Sequence, residues 1–101
     1  MIKNLVTIYI TNFNYANYIE KAIKSCLNQT YKKIEIIIFD DGSTDKSKEI
    51  INNYSKNEKI TAVYQKKLGL VKTCNKALYS SKGEFIVRLD ADDWLDENAI
   101  Y

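Results

Sequence analysis

Apolar and polar positions follow two different periods along this chain. Nearly continuous apolar runs cover residues 5–10, 34–39 and 85–89, which is typical of strands buried on both faces of a sheet. A weaker run over residues 60–64 predicts a fourth strand nearer an edge of the sheet. The pattern therefore predicts four strands, separated by segments of a different period.

Those intervening segments have apolar residues every three or four positions, which predicts three helices. They cover residues 15–29, a segment capped by Ser43 or Thr44, and residues 70–81. The side chains expected to face the core are Ile19, Ala22, Ile23, Cys26 and Leu27 in the first helix, Ser47, Ile50, Ile51 and Tyr54 in the second, and Val71, Cys74, Ala77 and Leu78 in the third. Gly83 is expected to end the third helix in a left-handed conformation, and residues 96–101 are predicted to begin another helix.

The alternation of strand and helix predicts an α/β fold, with a three-layer, mainly parallel four-stranded sheet and helices on both faces. Right-handed crossovers place the carboxyl ends of all the strands at one edge. Ligands of such sheets bind outside those ends. Polar clusters at residues 11–14, 40–43 and 90–93 each follow a predicted strand, so we expect one ligand site there.

Composition narrows the function classes. The 101 residues suit one small domain, and the net charge of +2 with Arg88 as the single Arg argues against a nucleic-acid partner. No apolar stretch approaches the roughly 20 residues of a membrane span, and the N-terminus lacks a signal-peptide pattern, so we expect a cytoplasmic protein with reduced cysteines. The absence of His excludes Ser-His-Asp triads and most zinc sites.

The acidic segment Asp90-Ala91-Asp92-Asp93 comes directly after a strand-like run. Arg88 is expected to point the opposite way to Leu89, which leaves a divalent cation as the natural partner of these carboxylates. Oxygen ligands select magnesium, manganese or calcium. The three glycines form neither a dinucleotide-binding nor a P-loop motif, so a diphosphate would be held through a bridging cation. The alternative is that the carboxylates cap a helix or face water, which is the commoner role of such a pair.

Other residues at this edge also have two interpretations. Asp40 and Asp41 are either part of a turn or placed to accept a hydrogen bond from a nucleobase. Phe13 is either a core aromatic or a surface on which a base stacks. Lys66, Lys67 and Lys72 are either solvated or close to a phosphate. From the residues alone, the prediction is a metal-dependent nucleotide or phosphate site.

Taken together, the motifs resemble those of the family 2 glycosyltransferases of GT-A fold. The matching segments are Thr11-Asn12-Phe13-Asn14, Asn28-Gln29-Thr30-Tyr31, Asp40-Asp41-Gly42-Ser43-Thr44-Asp45, Gly69 to Asn75, and Gly83-Glu84-Phe85-Ile86 leading into Leu89-Asp90-Ala91-Asp92-Asp93. The resemblance covers essentially the whole chain. It implies that residues 1–101 form the N-terminal, nucleotide-sugar-binding half of such a domain, truncated at the C-terminus.

The resemblance also implies roles for individual residues. Thr11, Phe13, Asn14 and Lys72 would belong to the nucleotide site, where Asp41 would accept from the base, uracil by expectation, and Asp40 would support that loop. Asp92 would be the principal carboxylate for Mn²⁺ or Mg²⁺. Asp90 would face the ribose or a metal-bound water, and Asp93 would lie beside the sugar.

Departures from the family pattern qualify these roles. Thr11 replaces the common Pro, Cys74 the usual Arg, and Lys67 a common Asn, so Lys72 is the candidate to supply the missing positive charge. In this family the catalytic base follows the acidic motif on sequence that this chain lacks, so no catalytic residue is assigned here.

The implied reaction is transfer of a sugar from a nucleoside-diphosphate sugar, with UDP-sugar favoured, to an acceptor hydroxyl on a glycan or lipid-linked sugar during polysaccharide synthesis. We expect the full enzyme to be cytoplasmic or peripheral at the inner face of the membrane. The 101 residues alone are expected to bind donor without transferring sugar, and uncovered apolar surface favours self-association. The alternative is a non-catalytic nucleotide-binding or structural fragment.

Overall fold

The fold is an all-parallel sheet with a helix in each connection. A computed structural model describes residues 1–100. The elements are β1 (Ile2–Asn12), α1 (Ile19–Leu27), β2 (Ile34–Asp41), α2 (Ser47–Tyr54), β3 (Ile60–Gln65), α3 (Leu70–Ser80) and β4 (Gly83–Asp90). The strand order is β3-β2-β1-β4, and every neighbouring pair is parallel. The predicted α/β class and the four strands are confirmed, including the edge position of β3.

The helices cover both faces of the sheet, as predicted. On one face, α1 and α2 pack against the strands through a core of isoleucines that includes Ile8, Ile10, Ile36, Ile38, Ile23 and Ile51. On the other face, Ala77 of α3 joins Tyr9, Ile37 and Phe39 in a second core. Because both faces of β1 and β2 are buried, these strands have the continuous apolar sequences from which they were predicted.

The order of the strands reverses beside β1. The chain moves from β1 to β2 and β3 in one direction, and α3 then returns it to the opposite side of β1, where β4 pairs. In open parallel sheets, a crevice forms outside the carboxyl ends of strands at such a reversal. The register sets Thr11 of β1 opposite Asp90 of β4 and Asn12 opposite Asp40 of β2. The three polar clusters therefore meet at one edge.

The first two helices begin at other residues than predicted. Residues 15–18 form a turn, and α1 begins only at Ile19. The Ser47 N–H at the start of α2 donates to Asp45 Oδ1 at 2.9 Å, whereas neither Ser43 nor Thr44 caps the helix. The Ser43 hydroxyl is instead engaged with Asp40 and the segment after β1, since it donates to Asp40 Oδ1 at 2.6 Å and accepts from the Asn14 N–H at 2.9 Å.

The inner face of α3 was predicted only in part, since Ala77 and Cys74 pack against the second core but Val71 and Leu78 do not. Val71 and Leu78 are 75% and 58% exposed, and the buried residues of the helix are Thr73 and Ala77. Thr73 satisfies its hydroxyl locally by donating to Gly69 O at 2.8 Å, so burial of this polar residue is not penalised. Small residues toward the sheet let α3 approach closely, and its larger apolar side chains are left outside.

Gly83 is the first residue of β4 and does not cap α3. A Cβ atom there would lie 2.6 Å from Thr7 Oγ1 and 2.7 Å from Thr7 N, so β1 and β4 approach too closely for a side chain.

The helix predicted from residue 96 is also wrong as far as the structure describes it, since residues 96–100 contain one turn and no helix. Tyr101, the last residue of that prediction, lies outside the described residues.

Two further predictions concern the state of the cysteines and the presence of membrane-spanning segments. Cys26 is buried and Cys74 half-buried, and both are free thiols. None of the helices in this range is long and apolar enough to cross a bilayer.

Candidate functional site

An open pocket of about 360 Å³ lies at the carboxyl edge of the sheet, between the ends of β1 and β4 and the start of α3. It is lined by Thr11, Asn12, Phe13, Tyr15, Asp41, Lys67, Gly69, Leu70, Thr73, Asp90 and Asp92. Each of the three strands β1, β2 and β4 contributes its last residues or those just after them. The pocket is therefore a direct product of the strand reversal beside β1.

Asp41 fixes the wall of this pocket. Its Oδ1 accepts from the Leu68 N–H at 2.7 Å and from Gln65 Nε2 at 3.1 Å, and its Oδ2 accepts from the Gly69 N–H at 3.1 Å. Burial by itself would raise the pKa of Asp41, but these hydrogen bonds and the charge of Lys67 outweigh it and lower the pKa below its usual range. Asp41 is thus ionised, and one lone pair of Oδ2 remains for a ligand N–H.

The loop held by Asp41 brings Lys67 over the pocket. Gly42 has a φ of +79°, and a Cβ there would lie 3.0 Å from Lys67 N, so the loop after β3 passes close to the turn after β2. Lys67 Nζ lies 3.6 Å from the centre of the Phe13 ring, a cation–π contact. A base stacking on Phe13 would meet this ammonium group or displace it.

Asp40 lies beneath the pocket and does not line it. It is fully buried, and its Oδ1 accepts from Asn12 Nδ2 at 2.8 Å and from Ser43 Oγ at 2.6 Å. Asn14 also lies outside the pocket, where its Oδ1 accepts from the Thr44 N–H at 2.7 Å. These side chains join the end of β1 to the turn after β2, and they shape the pocket without facing it.

Asp90 is paired with Arg88. The two residues lie on the same face of β4 because side chains two positions apart point the same way, and Arg88 Nε is 3.6 Å from Asp90 Oδ1. The same oxygen accepts from Thr11 Oγ1 at 3.2 Å. Arg88 does point away from Leu89, as predicted, but the inference that no positive side chain is near the acids was wrong.

Asp92 has no such partner. It is exposed, lines the pocket, and makes no hydrogen bond or ion pair with any other side chain or backbone group of residues 1–100. Asp93 does not line the pocket, and its Oδ1 instead accepts from the Trp94 N–H at 2.8 Å. Asp92 is therefore the acid most available to a cation.

The donor set fits a hard divalent cation that also takes ligands from elsewhere. Within residues 1–100, no group of three or more acidic or cysteine side chains forms a metal site of protein ligands alone. Asp90 and Asp92 supply carboxylate oxygens on one wall of the pocket. Mg²⁺ and Mn²⁺ are commonly held by one or two carboxylates together with waters and substrate phosphates, which matches this arrangement.

The pocket separates the predicted site residues into two groups. Thr11, Phe13, Asp41, Asp90 and Asp92 line it, whereas Asn14, Asp40, Lys72 and Asp93 do not. Lys72 is turned about 100° from its neighbour Thr73, which faces the sheet. Lys67, not Lys72, lines the pocket, and Thr73 and Tyr15 were missed. Thr73 would have been identified from a correct prediction of which face of α3 packs against the sheet.

The segment after the acidic motif is held by the end of α1. Gln29 is fully buried, and its Nε2 donates to Asp96 O at 2.6 Å while its Oε1 accepts from the Ile100 N–H at 3.0 Å. The Leu95 N–H donates to Ser25 Oγ at 3.0 Å. These contacts fix the path of the chain on the far side of Asp92, which explains the Asn-Gln-Thr-Tyr motif in physical terms.

Comparison with known protein families gives one match over most of the chain. Residues 7–101 match the sequence model of the family described as Glycosyl transferase family 2. A chondroitin synthase of Pasteurella multocida is 40% identical over 97 residues, which are 95% of this chain and 10% of that protein.

Solved structures share the fold. The structure of S. aureus TarS in complex with UDP superposes with a TM-score of 0.81 at 25% identity, covering 92% of this chain and 29% of that one. A mannosyltransferase from Pyrobaculum calidifontis, in complex with GDP-Man and Mn²⁺, gives a TM-score of 0.81 at 27% identity, covering 88% and 28% respectively. The chain thus spans between a tenth and a third of these proteins.

Proposed function

This chain belongs to glycosyl transferase family 2, and from that membership we propose that it is the donor-binding part of a metal-dependent glycosyltransferase. The donor would be a nucleoside-diphosphate sugar, with UDP-sugar favoured. The acceptor would be a hydroxyl group of a glycan or lipid-linked sugar. The match to a chondroitin synthase supports polysaccharide synthesis as the context.

The observation that carries this proposal is the juxtaposition of three surfaces in one pocket. Phe13 offers an aromatic face, Asp41 offers a carboxylate with an unused lone pair, and Asp92 offers a carboxylate without a partner in residues 1–100. An aromatic face and a hydrogen-bond acceptor suit a nucleobase, and a free carboxylate suits a cation that carries phosphates. The complexes of related structures with UDP and with GDP-Man and Mn²⁺ support the same ligand class.

Uracil is favoured by the resemblance to the family, and the acceptor at Asp41 is compatible with it. This carboxylate is held ionised, so it can only accept, and the N3–H of uracil is a donor of matching polarity. The oxygen is immobilised by backbone N–H groups of Leu68 and Gly69 and need not be ordered when the base binds. Asp40, with Asn12 and Ser43, would keep this loop in place from below.

In the proposed reaction, the residues of this chain would bind the donor and stabilise the leaving group. A cation at Asp92 would supply positive charge to the diphosphate as the bond to the sugar breaks. Thr11 and Asp90, hydrogen-bonded to each other, lie beside that position, with one Asp90 oxygen left to accept from a ribose hydroxyl. Asp93 would lie near the sugar, although the pocket itself does not include it.

Calorimetric titration with UDP tests this proposal. The expected result is UDP binding that tightens at least about tenfold when Mn²⁺ is added, with that gain lost in Asp92→Ala. Glu58→Ala, which removes an exposed acid on the α2–β3 connection away from the pocket, is the matched control and should bind UDP as the unmodified chain does. Circular dichroism of each variant verifies that it is folded.

The alternative, a nucleotide-binding or structural segment with no part in transfer, predicts a different titration. UDP would then bind equally well with and without Mn²⁺, or would not bind at all to a chain shown to be folded. Either result would rule out the metal-dependent donor site. Replacement of UDP by GDP in the same experiment tests the preference for uracil.

A further inference from the structure

Arg88 is the single Arg of the chain, and it lies on the edge strand β4, two residues before Asp90. It pairs in register with Tyr9, two residues before the pair of Thr11 with Asp90 that lines the pocket. Its side chain is on the face of the sheet that α3 covers, since Ile86, two residues earlier on β4, packs into the core that contains Ala77 of α3. The guanidinium group therefore lies next to Asp90, just outside the lining of the pocket.

The contacts of Arg88 hold it loosely. Its Nε lies 3.6 Å from Asp90 Oδ1, and the two side chains are 44% and 49% exposed. An interaction with the Cys74 side chain, followed by the charge of Asp90, raises the pKa of Arg88. Exposed ion pairs contribute little to stability, so Arg88 can leave Asp90 at small cost.

The pocket has an excess of negative charge for the ligand proposed above. Asp41, Asp90 and Asp92 line it, and Lys67 is the one cationic side chain in its lining. The diphosphate of a nucleotide sugar is itself anionic, so it needs positive groups besides a metal ion. Lys67 is engaged at the Phe13 end of the pocket, at 3.6 Å from that ring. A positive side chain at the Asp90 end would add to the charge that a metal ion supplies there.

We infer that Arg88 is a diphosphate-binding residue that exchanges partners when the donor binds. Without ligand it pairs with Asp90, and with ligand it pairs with phosphate oxygens while Asp90 turns to the cation or the ribose. This inference rests on the proposed donor site and assigns a residue to it. A guanidinium group suits the role because its planar donors match phosphate oxygens in pairs.

The other positive side chains are less well placed. Lys72 projects from the outer side of α3, as the burial of its neighbour Thr73 shows. Lys66 is exposed and does not line the pocket. Arg88 alone among them already contacts a residue of the pocket lining, namely Asp90. On the other side it interacts with Cys74 of α3, and its side chain stays 44% exposed.

The exchange predicts that one ligand is weakened and the other is not, which a merely structural residue would not produce. In Arg88→Ala, Mn²⁺ alone should bind equally well or more tightly, because a competing cation has been removed from Asp90. UDP at saturating Mn²⁺ should bind about 10- to 100-fold more weakly, the effect of losing a hydrogen-bonded charge. Arg88→Lys should restore part of the UDP affinity, and Arg88→Gln, which has similar size and no charge, should not.

Calorimetric titration with MnCl2 and with UDP tests this exchange in each of these variants. Lys48→Ala is the control for loss of a surface cation. Lys48 is exposed on α2 and lies outside the pocket. Weaker UDP binding with unweakened Mn²⁺ binding in both Arg88→Ala and Arg88→Gln supports the exchange. Unchanged UDP affinity in either variant, or equal loss of both ligands, overturns it while leaving the donor site intact. If the unmodified chain binds UDP without regard to Mn²⁺, the donor site itself fails, and this inference with it.

Discussion

Asp41 should contribute to stability out of proportion to its size, and Asp41→Asn tests this. Its carboxylate receives three hydrogen bonds from the loop at residues 65–69, two of them from backbone N–H groups. The substituted amide keeps one oxygen, so at least one buried N–H group must face an NH2 group. The remaining bonds also lose their charge.

The size of the effect follows from these contacts. A hydrogen bond to a charged group contributes about 1.5–3 kcal/mol, and a buried donor left without a partner costs about 1–3 kcal/mol. Since one oxygen remains, we expect Asp41→Asn to lower the free energy of unfolding by about 2–4 kcal/mol. With a urea slope of about 2 kcal/mol per molar, the unfolding midpoint should fall by about 1–2 M.

The pH dependence of that difference has a definite sign. The pKa of Asp41 is lowered in the folded chain, so its stabilising contribution is fully present above the unfolded value of about 3.9. It is lost as the pH falls through the folded value, when the carboxylate becomes protonated. The gap between the unmodified chain and Asp41→Asn should therefore be full at neutral pH and narrow in acid below pH about 4.

Urea unfolding followed by circular dichroism at a series of pH values measures this gap. Glu58→Gln, which replaces an exposed carboxylate, is the matched control. Its free energy of unfolding should change by less than about 0.5 kcal/mol. Equal midpoints for Asp41→Asn and the unmodified chain would refute the reasoning. So would a gap that stays constant from neutral to acid pH, because the ionised state would then contribute nothing.

Two further substitutions test contacts that position the site. Gly83→Ala places a methyl group 2.6 Å from Thr7 Oγ1. It should lower the free energy of unfolding, measured in urea, by about 1–3 kcal/mol. An unchanged unfolding midpoint would contradict the close approach of β1 and β4. Gln29→Ala removes the side-chain bonds to Asp96 and Ile100 and should cost about 2–4 kcal/mol, with faster hydrogen exchange of the Ile100 amide as the local readout. Unaltered exchange at Ile100 would show that Gln29 does not hold this segment.

Much of the fold could be predicted from the sequence because its main signals are local. The apolar runs of β1, β2 and β4 arise from burial on both faces of the sheet, so the strands were found within a few residues of their observed bounds. The inner face of α1 was equally clear, since Ile19, Ala22, Ile23 and Cys26 are all buried. A single wide apolar stripe leaves one choice of face.

Helix α3 shows where such patterns become ambiguous. It carries one stripe of larger apolar residues, at Val71 and Leu78, and another of small ones, at Thr73 and Ala77. Periodicity alone favours the more apolar stripe, whereas packing against the sheet selected the small one. Lys72 was assigned to the site to replace a missing positive charge, and its position on α3 turns it away from the pocket.

The candidate site could be located from the sequence, but its contacts could not. Three polar clusters at strand ends were enough to predict that the pocket lies at the carboxyl edge. The hydrogen bonds of Asp41 to Leu68 and Gly69 join residues far apart in sequence, and no pattern within either segment indicates them. The pair of Arg88 with Asp90 was accessible from strand alternation and was overlooked.

Paramagnetic broadening of backbone amide signals by Mn²⁺ and UDP tests most directly whether the pocket between β1 and β4 is the donor site. With both ligands present, signals of Phe13, Gly69 and Asp92 should broaden, while those of Ile34 and Gly83 at the opposite edge of the sheet should stay sharp. In Asp92→Asn, the broadening at the pocket should be lost. Broadening centred elsewhere, or equal broadening in Asp92→Asn, would contradict the account.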